Sequence, residues 1–496
     1  MKDLDDFKTH QKENIAKEMA QINAKDHFML DPSFHVNYIN FLFRLLSGDI
    51  NKLESDQITK EELDACIKNL YSIQYDLGQL VSKCSCKVLP NQFNLIIHTI
   101  YLLSYLKIKD ILQYNYINIA CTLIQDYPEL VETFLVSQEV QNYVNTFKDL
   151  FMGWEFSLLT SFLNNSQNAA PVFISNGILT NIFNTMQATI PLVLTYNQNP
   201  ERDAFIDYWI CAVSSLQNIA VIYYADQSVI KSIFCFLVQF LSIDFYNLRE
   251  GFFFKVIDCI SVTFLHFDNF NQINFEQHLP LFKKLLFENE MRGRIIILKL
   301  FNIISKPPIN FQFDRPTIID IAKNIKIWLN SKYSGNEDYF NIISLSFDFM
   351  SNIISYHPNI FDALNELAFF DLIFAKFMVE SHKLKIHIVN LFLSLTIPQI
   401  WPKSIIFFAN NQILTEILLF IDSGIVEELR LKIIHCLIQI CSTNISSYPL
   451  NTQELIIKEL QSDIVSSVLS NLLENEDNNE LITCLINQIH SFTANQ

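Results

Sequence analysis

Polar or glycine-bearing breaks interrupt the apolar pattern of this chain near Lys109, Gly153, Asn199, Asp244, Asn289, Gly335, Ser381, Gly424 and Asn475, at separations of 43 to 51 residues. A second series, Pro308, Pro358, Pro402 and Pro449, falls between them in the C-terminal half at separations of 44 to 50. A recurring period in the forties constrains the fold more than any other feature. It means that one small unit recurs and that the core must be built between copies. The unit is plainest over Asn411–Cys441. Ile413, Ile417 and Phe420 make one helical stripe, and Leu429, Ile433, Cys436 and Ile440 resume it after Asp422-Ser423-Gly424. Gly424 can take the positive φ found just past a helix end, and Glu427 and Glu428 put negative charge where the next helix dipole favours it. Neither helix can cover its own apolar stripe, so the unit needs neighbours.

Composition narrows the class. Half of the residues are hydrophobic, yet there are only 8 Gly and 14 Pro in 496 residues, too few for a fold of many tight β-turns. The chain is therefore mostly helical. With 35 Lys and Arg against 52 Asp and Glu, the formal charge is −17. Such a surface repels phosphate backbones and argues against nucleic-acid binding, while it suits a basic protein segment. The ten Cys lie mainly in apolar helical stretches, as at Cys121, Cys211, Cys235, Cys259, Cys436 and Cys484. That distribution fits reduced thiols in a cytoplasmic or nucleocytoplasmic protein rather than a disulfide framework. Met1–Asp26 mixes Lys with Asp and Glu and lacks the apolar stretch of a signal peptide. The most apolar runs, Ile233–Ile243 and Gly251–Phe267, are broken by Gln239, Lys255 and Asp258, so no membrane span is expected.

The N-terminal part is less regular. Asp31-Pro32-Ser33 opens an apolar helix expected to end at Ser47-Gly48, and Thr59-Lys60-Glu61-Glu62 is a capping-box pattern that opens a long second helix. Lys83–Asn91 reads as a connector, with Pro90 starting the next helix. Residues 1–89 are thus expected to form an irregular helical cap, and residues 90–496 a repeat array of about eight to nine units.

Ala212-Val213-Ser214-Ser215-Leu216-Gln217-Asn218-Ile219-Ala220 matches an A-x-x-L-x-N-I/L-A pattern throughout. Leu300-Phe301-Asn302-Ile303 and Met350-Ser351-Asn352-Ile353 match its central part, and Leu437-Ile438-Gln439-Ile440 puts Gln in the Asn place. In this the chain resembles the armadillo family, over roughly Pro90–Ile489. The resemblance implies an all-α fold, a right-handed α-solenoid of armadillo/HEAT-like repeats. It also implies a concave groove in which Asn218, Asn302, Asn352 and Gln439 hydrogen-bond the backbone of an extended peptide. An amide suits that task because it offers both donor and acceptor. The expected function is a non-catalytic, monomeric scaffold or adaptor for a protein partner, possessing a basic extended segment, with no cofactor. A nuclear-transport receptor of the importin-α type is the alternative. Against it, Ser214, Leu298 and Asp348 stand where that type carries Trp, four residues before its Asn, and Met1–Asp26 is not an Arg/Lys-rich segment.

Other constellations are weaker. Cys66, Cys84, Cys86 and His98 could supply four zinc ligands, but C-x-C spacing rarely lets both thiolates reach one tetrahedral ion. His382 and His387 are five residues apart and share no helix face well. Lys283, Lys284, Arg292 and Arg294 form a basic cluster whose default reading is a solvated face. The sequence carries no P-loop, G-x-G-x-x-G, G-x-S-x-G or H-E-x-x-H motif. A helical enzyme whose site assembles from distant residues is the remaining alternative.

Overall fold

The structure is a computed structural model. It describes residues 32–494 except 56, 85–87, 109–110, 149–152, 196–199, 267–274, 289–290, 308, 310, 331–335, 423–426, 443–448 and 476–478. The described residues are helical, joined by turns, with no strand among them. The chain divides into two compact units, Met1–His266 and Phe267–Gln496.

Each unit is held by a ladder of helices packed on their successors. In unit 1 the rungs are α1 (Lys60–Cys84), α2 (Ile111–Asp126), α3 (Glu155–Asn165), α4 (Pro200–Ile222) and α5 (Glu250–His266), each touching the next. In unit 2 they are α6 (Met291–Ile304), α7 (Glu337–Tyr356), α8 (His382–Ser394), α9 (Glu427–Cys441) and α10 (Asn479–Ala494). There α6 packs on α7, α7 on α8, and α9 on α10. Shorter helices form the layers behind each ladder. The last two repeats show the unit complete. Trp401–Asn411 packs on Leu450–Leu460 and Ile413–Asp422 on Asp463–Asn475, just as α9 packs on α10. The unit read as a helix pair from Asn411 to Cys441 therefore has a third helix in front of it.

The period appears directly in the polar contacts. Gln113 Nε2 donates to Glu155 across 42 residues and Gln217 Nε2 to Asp258 across 41. The Asn302 amide donates to the Leu345 carbonyl across 43, and the Thr415 N–H to Glu459 across 44. A buried polar group needs a partner, and in a stacked array the partner available is one repeat away.

Phenylalanine fills the space between layers. Phe134 stacks on Phe162 at 4.9 Å between ring centres, and Phe93, Tyr143 and Phe173 meet the same pair edge-on or tilted. In unit 2, Phe301, Phe313 and Phe349 make a similar nest. Leu418, Ile433 and Leu437, on the apolar stripes of this unit, are all 2% exposed or less.

Turn chemistry departs from expectation in two ways. Gly153 does take positive φ (79°) immediately before α3, and a Cβ there would meet Cys211 Sγ at 3.1 Å. But Lys107, Ala368 and Gln412 also have positive φ, so with so few glycines the chain closes several turns with strained L-residues. The first helix does not stop at Ser47-Gly48 but runs from Pro32 to Leu53. Gly48 is tolerated because Leu46, Ile50 and Leu53 around it are buried and hold the helix through tertiary packing. Met1–Asp26, the first part of the expected helical cap, and the breaks at Lys109, Asn199, Asn289, Gly335, Gly424 and Pro308 lie outside the described residues.

One contact between the shorter helices is proton-dependent. Glu459, 6% exposed, accepts the Thr415 N–H at 2.7 Å, in the first turn of Ile413–Asp422, and its second oxygen has no partner among the described residues. Burial raises its carboxyl to about 7, outweighing the hydrogen bonds from Thr415 and Leu414. Because the folded value is raised, its contribution to stability is full below the ordinary value of 4.5 and is lost as pH rises through about 7. Glu459→Gln should flatten the pH dependence of protection of Ile413–Asp422 between about pH 5 and 8, by on the order of 2–3 kcal/mol. Hydrogen exchange corrected for intrinsic rates measures it; an unchanged slope would contradict the assignment. Separately, Ile433→Ala should cost roughly 2–4 kcal/mol and loosen α9 and its neighbouring helices before distant ones, as exchange mapping would reveal.

Candidate functional site

A solenoid binds through faces that its own stacking leaves uncovered, so the relevant side chains are those on the open stripe of each rung. On α4 that stripe runs Asp203, Asp207, Ser214, Asn218 and Val221, spaced by helical turns and exposed or half-buried. The opposite face is covered: Ile206, Trp209, Val213, Leu216 and Ala220 are fully buried, and the Trp209 indole donates to Thr189 Oγ1 at 3.0 Å.

The four amides singled out from the sequence have four different environments. Asn218 lies in unit 1, half-buried, and its side chain has no hydrogen-bond partner among the described residues. Asn302, Asn352 and Gln439 lie in unit 2. Asn302 is only 7% exposed, and both of its amide hydrogens are engaged, to the Leu298 carbonyl of its own helix at 3.0 Å and to the Leu345 carbonyl of α7 at 2.8 Å. Its oxygen accepts from Asn352 Nδ2 at 3.0 Å. The structure thus joins Asn302 and Asn352, but as a bolt between rungs, which corrects the expectation of an open amide at Asn302. A backbone carbonyl left on the seam by close helix packing takes the donors first. Gln439 is exposed on α9 with its side chain unbonded among the described residues.

Residues that the sequence pattern did not single out supply more of the open face. On α1 and α2, Asn115 Nδ2 donates to Gln74 Oε1 at 3.2 Å, beside Tyr75 and Tyr114, which are 64% and 40% exposed. Tyr114 packs against Trp154 with ring centres 5.0 Å apart. Exposed aromatic rings beside amides are typical of protein interfaces. Their signal in the sequence was an aromatic at a polar position of the helical stripe, which a search for Asn alone passes over.

Charge is unevenly distributed. Along the rungs of unit 1, Asp64, Asp126, Asp203, Asp207 and Glu250 are exposed, against two exposed bases, Lys60 and Lys68. Asp207 is bridged by Arg249 at 2.6 Å, an exposed pair of small energetic weight. In unit 2 the exposed rung charges are mixed, with Arg292, Lys299, Lys383 and Lys432 among the carboxylates. The basic cluster noted in the sequence is partly taken up within the fold: Lys283 meets Asp320 at 3.4 Å and Arg294 lies over the Trp328 ring at 5.4 Å.

No group of His, Cys, Asp and Glu fit to hold a metal occurs among the described residues. Of the four zinc candidates, Cys66 is buried and His98 is hydrogen-bonded to two carboxylates, while Cys86 and the Cys84 side chain lie outside the described residues. The eight described Cys are free. Burial raises the Cys436 thiol to about 11 and that of Cys441 to about 12, whereas Cys235 and Cys484 are exposed, contrary to the expectation of core positions. Arg202–Ile222, within α4, is long and apolar enough to cross a membrane, which the sequence reading overlooked. Half of its most apolar window is buried against other helices, and Asp203 and Asp207 lie on its open stripe.

No protein-family model matches the sequence, and no curated protein does. Solved structures do match in fold. A crystal complex of SYS-1/POP-1 aligns with a TM-score of 0.56 at 12% identity, covering 97% of this chain and 96% of that one. A crystal structure of an engineered protein from a structural genomics consortium aligns with a TM-score of 0.52 at 13% identity, covering 90% of this chain and 98% of that one. The fold is an all-α, armadillo-type solenoid. Identity this low carries the architecture alone, so the open stripes have to be judged on their own chemistry.

Asn302→Ala should therefore cost stability, about 1–3 kcal/mol, because it strands the Leu345 carbonyl and Asn352 Nδ2. Gln439→Ala should stay within about 0.5 kcal/mol of the parent. Unfolding melts of the two variants distinguish a bolt from an open amide; equal melts would remove the distinction.

Proposed function

We propose that this protein is a non-catalytic, monomeric scaffold that holds an extended, basic segment of another protein along the open face of the unit 1 ladder. The observation that carries the reading is the stripe on α4, where Asp203 and Asp207 lead into Ser214 and Asn218, with Asp64, Asp126 and Glu250 on other rungs. Carboxylates steer and hold Lys and Arg side chains, and the amides of Asn218 and Asn115 can bond peptide groups without regard to sequence. Tyr75 and Tyr114 add apolar area that an extended chain can cover. Similarity to SYS-1, solved in complex with POP-1, supports a role in holding another protein. Free thiols fit a reducing compartment, and we place the protein in the cytoplasm or nucleocytoplasmic pool.

Binding of a fluorescent Lys/Arg-rich extended peptide to the full chain tests this. Affinity should fall steeply with salt, and Asp203→Lys or Asp126→Lys should each lower it by about five-fold, the weight of one exposed charge pair. Asn218→Ala should lower it by a similar factor, about 1 kcal/mol for one amide contact. Equal affinity for a Glu-rich peptide of the same length, or no loss in the charge variants, would defeat the proposal.

A further inference from the structure

We propose that Glu54, His98 and Glu139 form a proton-dependent clasp that fastens the turn before α1 to the layers behind it. His98 lies on Pro90–Tyr105, a helix packed against both Pro32–Leu53 and Glu139–Asn145. Its Nδ1 is 2.7 Å from Glu139 Oε2, and its Nε2 is 2.8 Å from Glu54 Oε1. The imidazole is 14% exposed, Glu139 25% and Glu54 46%.

The geometry itself requires a proton. A neutral imidazole has one N–H and one bare lone pair, so it can donate to one carboxylate while turning a lone pair towards the other. Both contacts are satisfied together only by the imidazolium, which donates from each nitrogen. The other way to satisfy them, protonating a carboxyl, is opposed at Glu139. Burial there favours the neutral acid, but hydrogen bonds from His98 and Asn142 outweigh it and hold the carboxyl below its usual range. At His98 the Glu139 hydrogen bond is the largest influence, burial opposes it, and the charges of both carboxylates add to it, so the imidazole titrates above its ordinary value. Glu139 and Glu54 are the ionisable groups that act on it from the elements packed there. Tyr101, one turn along the same helix, supplies a ring 5.9 Å away.

When His98 loses this proton, one N–H remains. It stays with Glu139, the shorter and more buried contact, and Glu54 is released. Glu54 sits where Pro32–Leu53 has ended, a few residues before the Thr59/Glu62 capping box that opens α1. The clasp spans 44 residues to Glu54 and 41 to Glu139, so it ties three successive layers through one side chain. Its hold is complete at acidic pH and is lost as pH rises through the raised value of His98.

Two measurements on the full chain test it. The ¹³C shifts of His98, assigned with His98→Gln, should show it titrating above 6.5 with both nitrogens protonated at pH 6. Hydrogen exchange corrected for intrinsic chemistry should find residues 50–60 several-fold more protected at pH 6 than at pH 8.5, the direction that the raised value of His98 requires. Glu54→Gln, at an exposed position that leaves the fold intact, should erase that difference in residues 50–60 while His98 still titrates high through Glu139. Titration of His98 at or below 6.5, equal protection at both pH values, or a pH step that survives Glu54→Gln would each overturn the clasp.

Discussion

Stability in this chain depends on burial between rungs that are about forty residues apart in sequence. A helix of some fifteen residues, such as α9 or α10, is marginal alone in water, and its apolar stripe has nowhere to go within its own repeat. Ile433 and Leu437 are covered because α10 and the shorter helices stand against them. The same requirement governs polar groups. Gln113 with Glu155, Gln217 with Asp258, and Thr415 with Glu459 each find a partner one repeat on. Contacts of this range cost modest loop-closure entropy and involve neighbours only, so cohesion grows by addition rather than around a centre.

That arrangement explains why amides have two uses here. An Asn on the open stripe offers its donor and acceptor to whatever arrives; an Asn turned a fraction of a helical step is drawn into the seam. Asn218 and Asn302 occupy the same place in a sequence motif, but Asn302 meets the Leu345 carbonyl and Asn218 meets no protein partner among the described residues. α6 and α7 run near enough to join Asn302, Leu345 and Asn352 in one network, whereas on α4 the neighbouring Gln217 takes the bond to α5 instead.

Much of the architecture was legible from residue spacing. The breaks at Gly153, Ser381 and Pro449 stand at helix starts, and the capping box at Thr59 and Glu62 forms as its residues imply. These features are local, so a local pattern reports them. The continuation of the first helix through Gly48 was not legible, since it rests on tertiary burial around a weak helix former. The turns at Lys107, Ala368 and Gln412 were equally hidden, because no residue preference announces a strained L-residue. The site was less legible than the fold. Periodicity shows that a residue recurs on a face, while exposure depends on a helix that lies forty residues away, as Asn302 and Gln439 show in opposite directions.

Charge carries the last step. A net −17 says little about where a cation would bind, because many carboxylates have structural reasons to be where they are. On the rungs of unit 2 the exposed acids Glu337, Asp338, Glu427, Glu428 and Glu480 all stand in first turns, where the helix dipole accounts for them. Glu61, Glu62 and Glu250 in unit 1 have the same explanation. Asp126 does not. It ends α2, where the dipole disfavours negative charge, and Asp207 lies well inside α4, where the dipole gives it nothing. Asp203 and Asp207 share a stripe with Asn218, and Arg249 offsets only one of them. Carboxylates that helix stability does not require, on a face that stacking does not cover, are the ones a binding function has reason to keep.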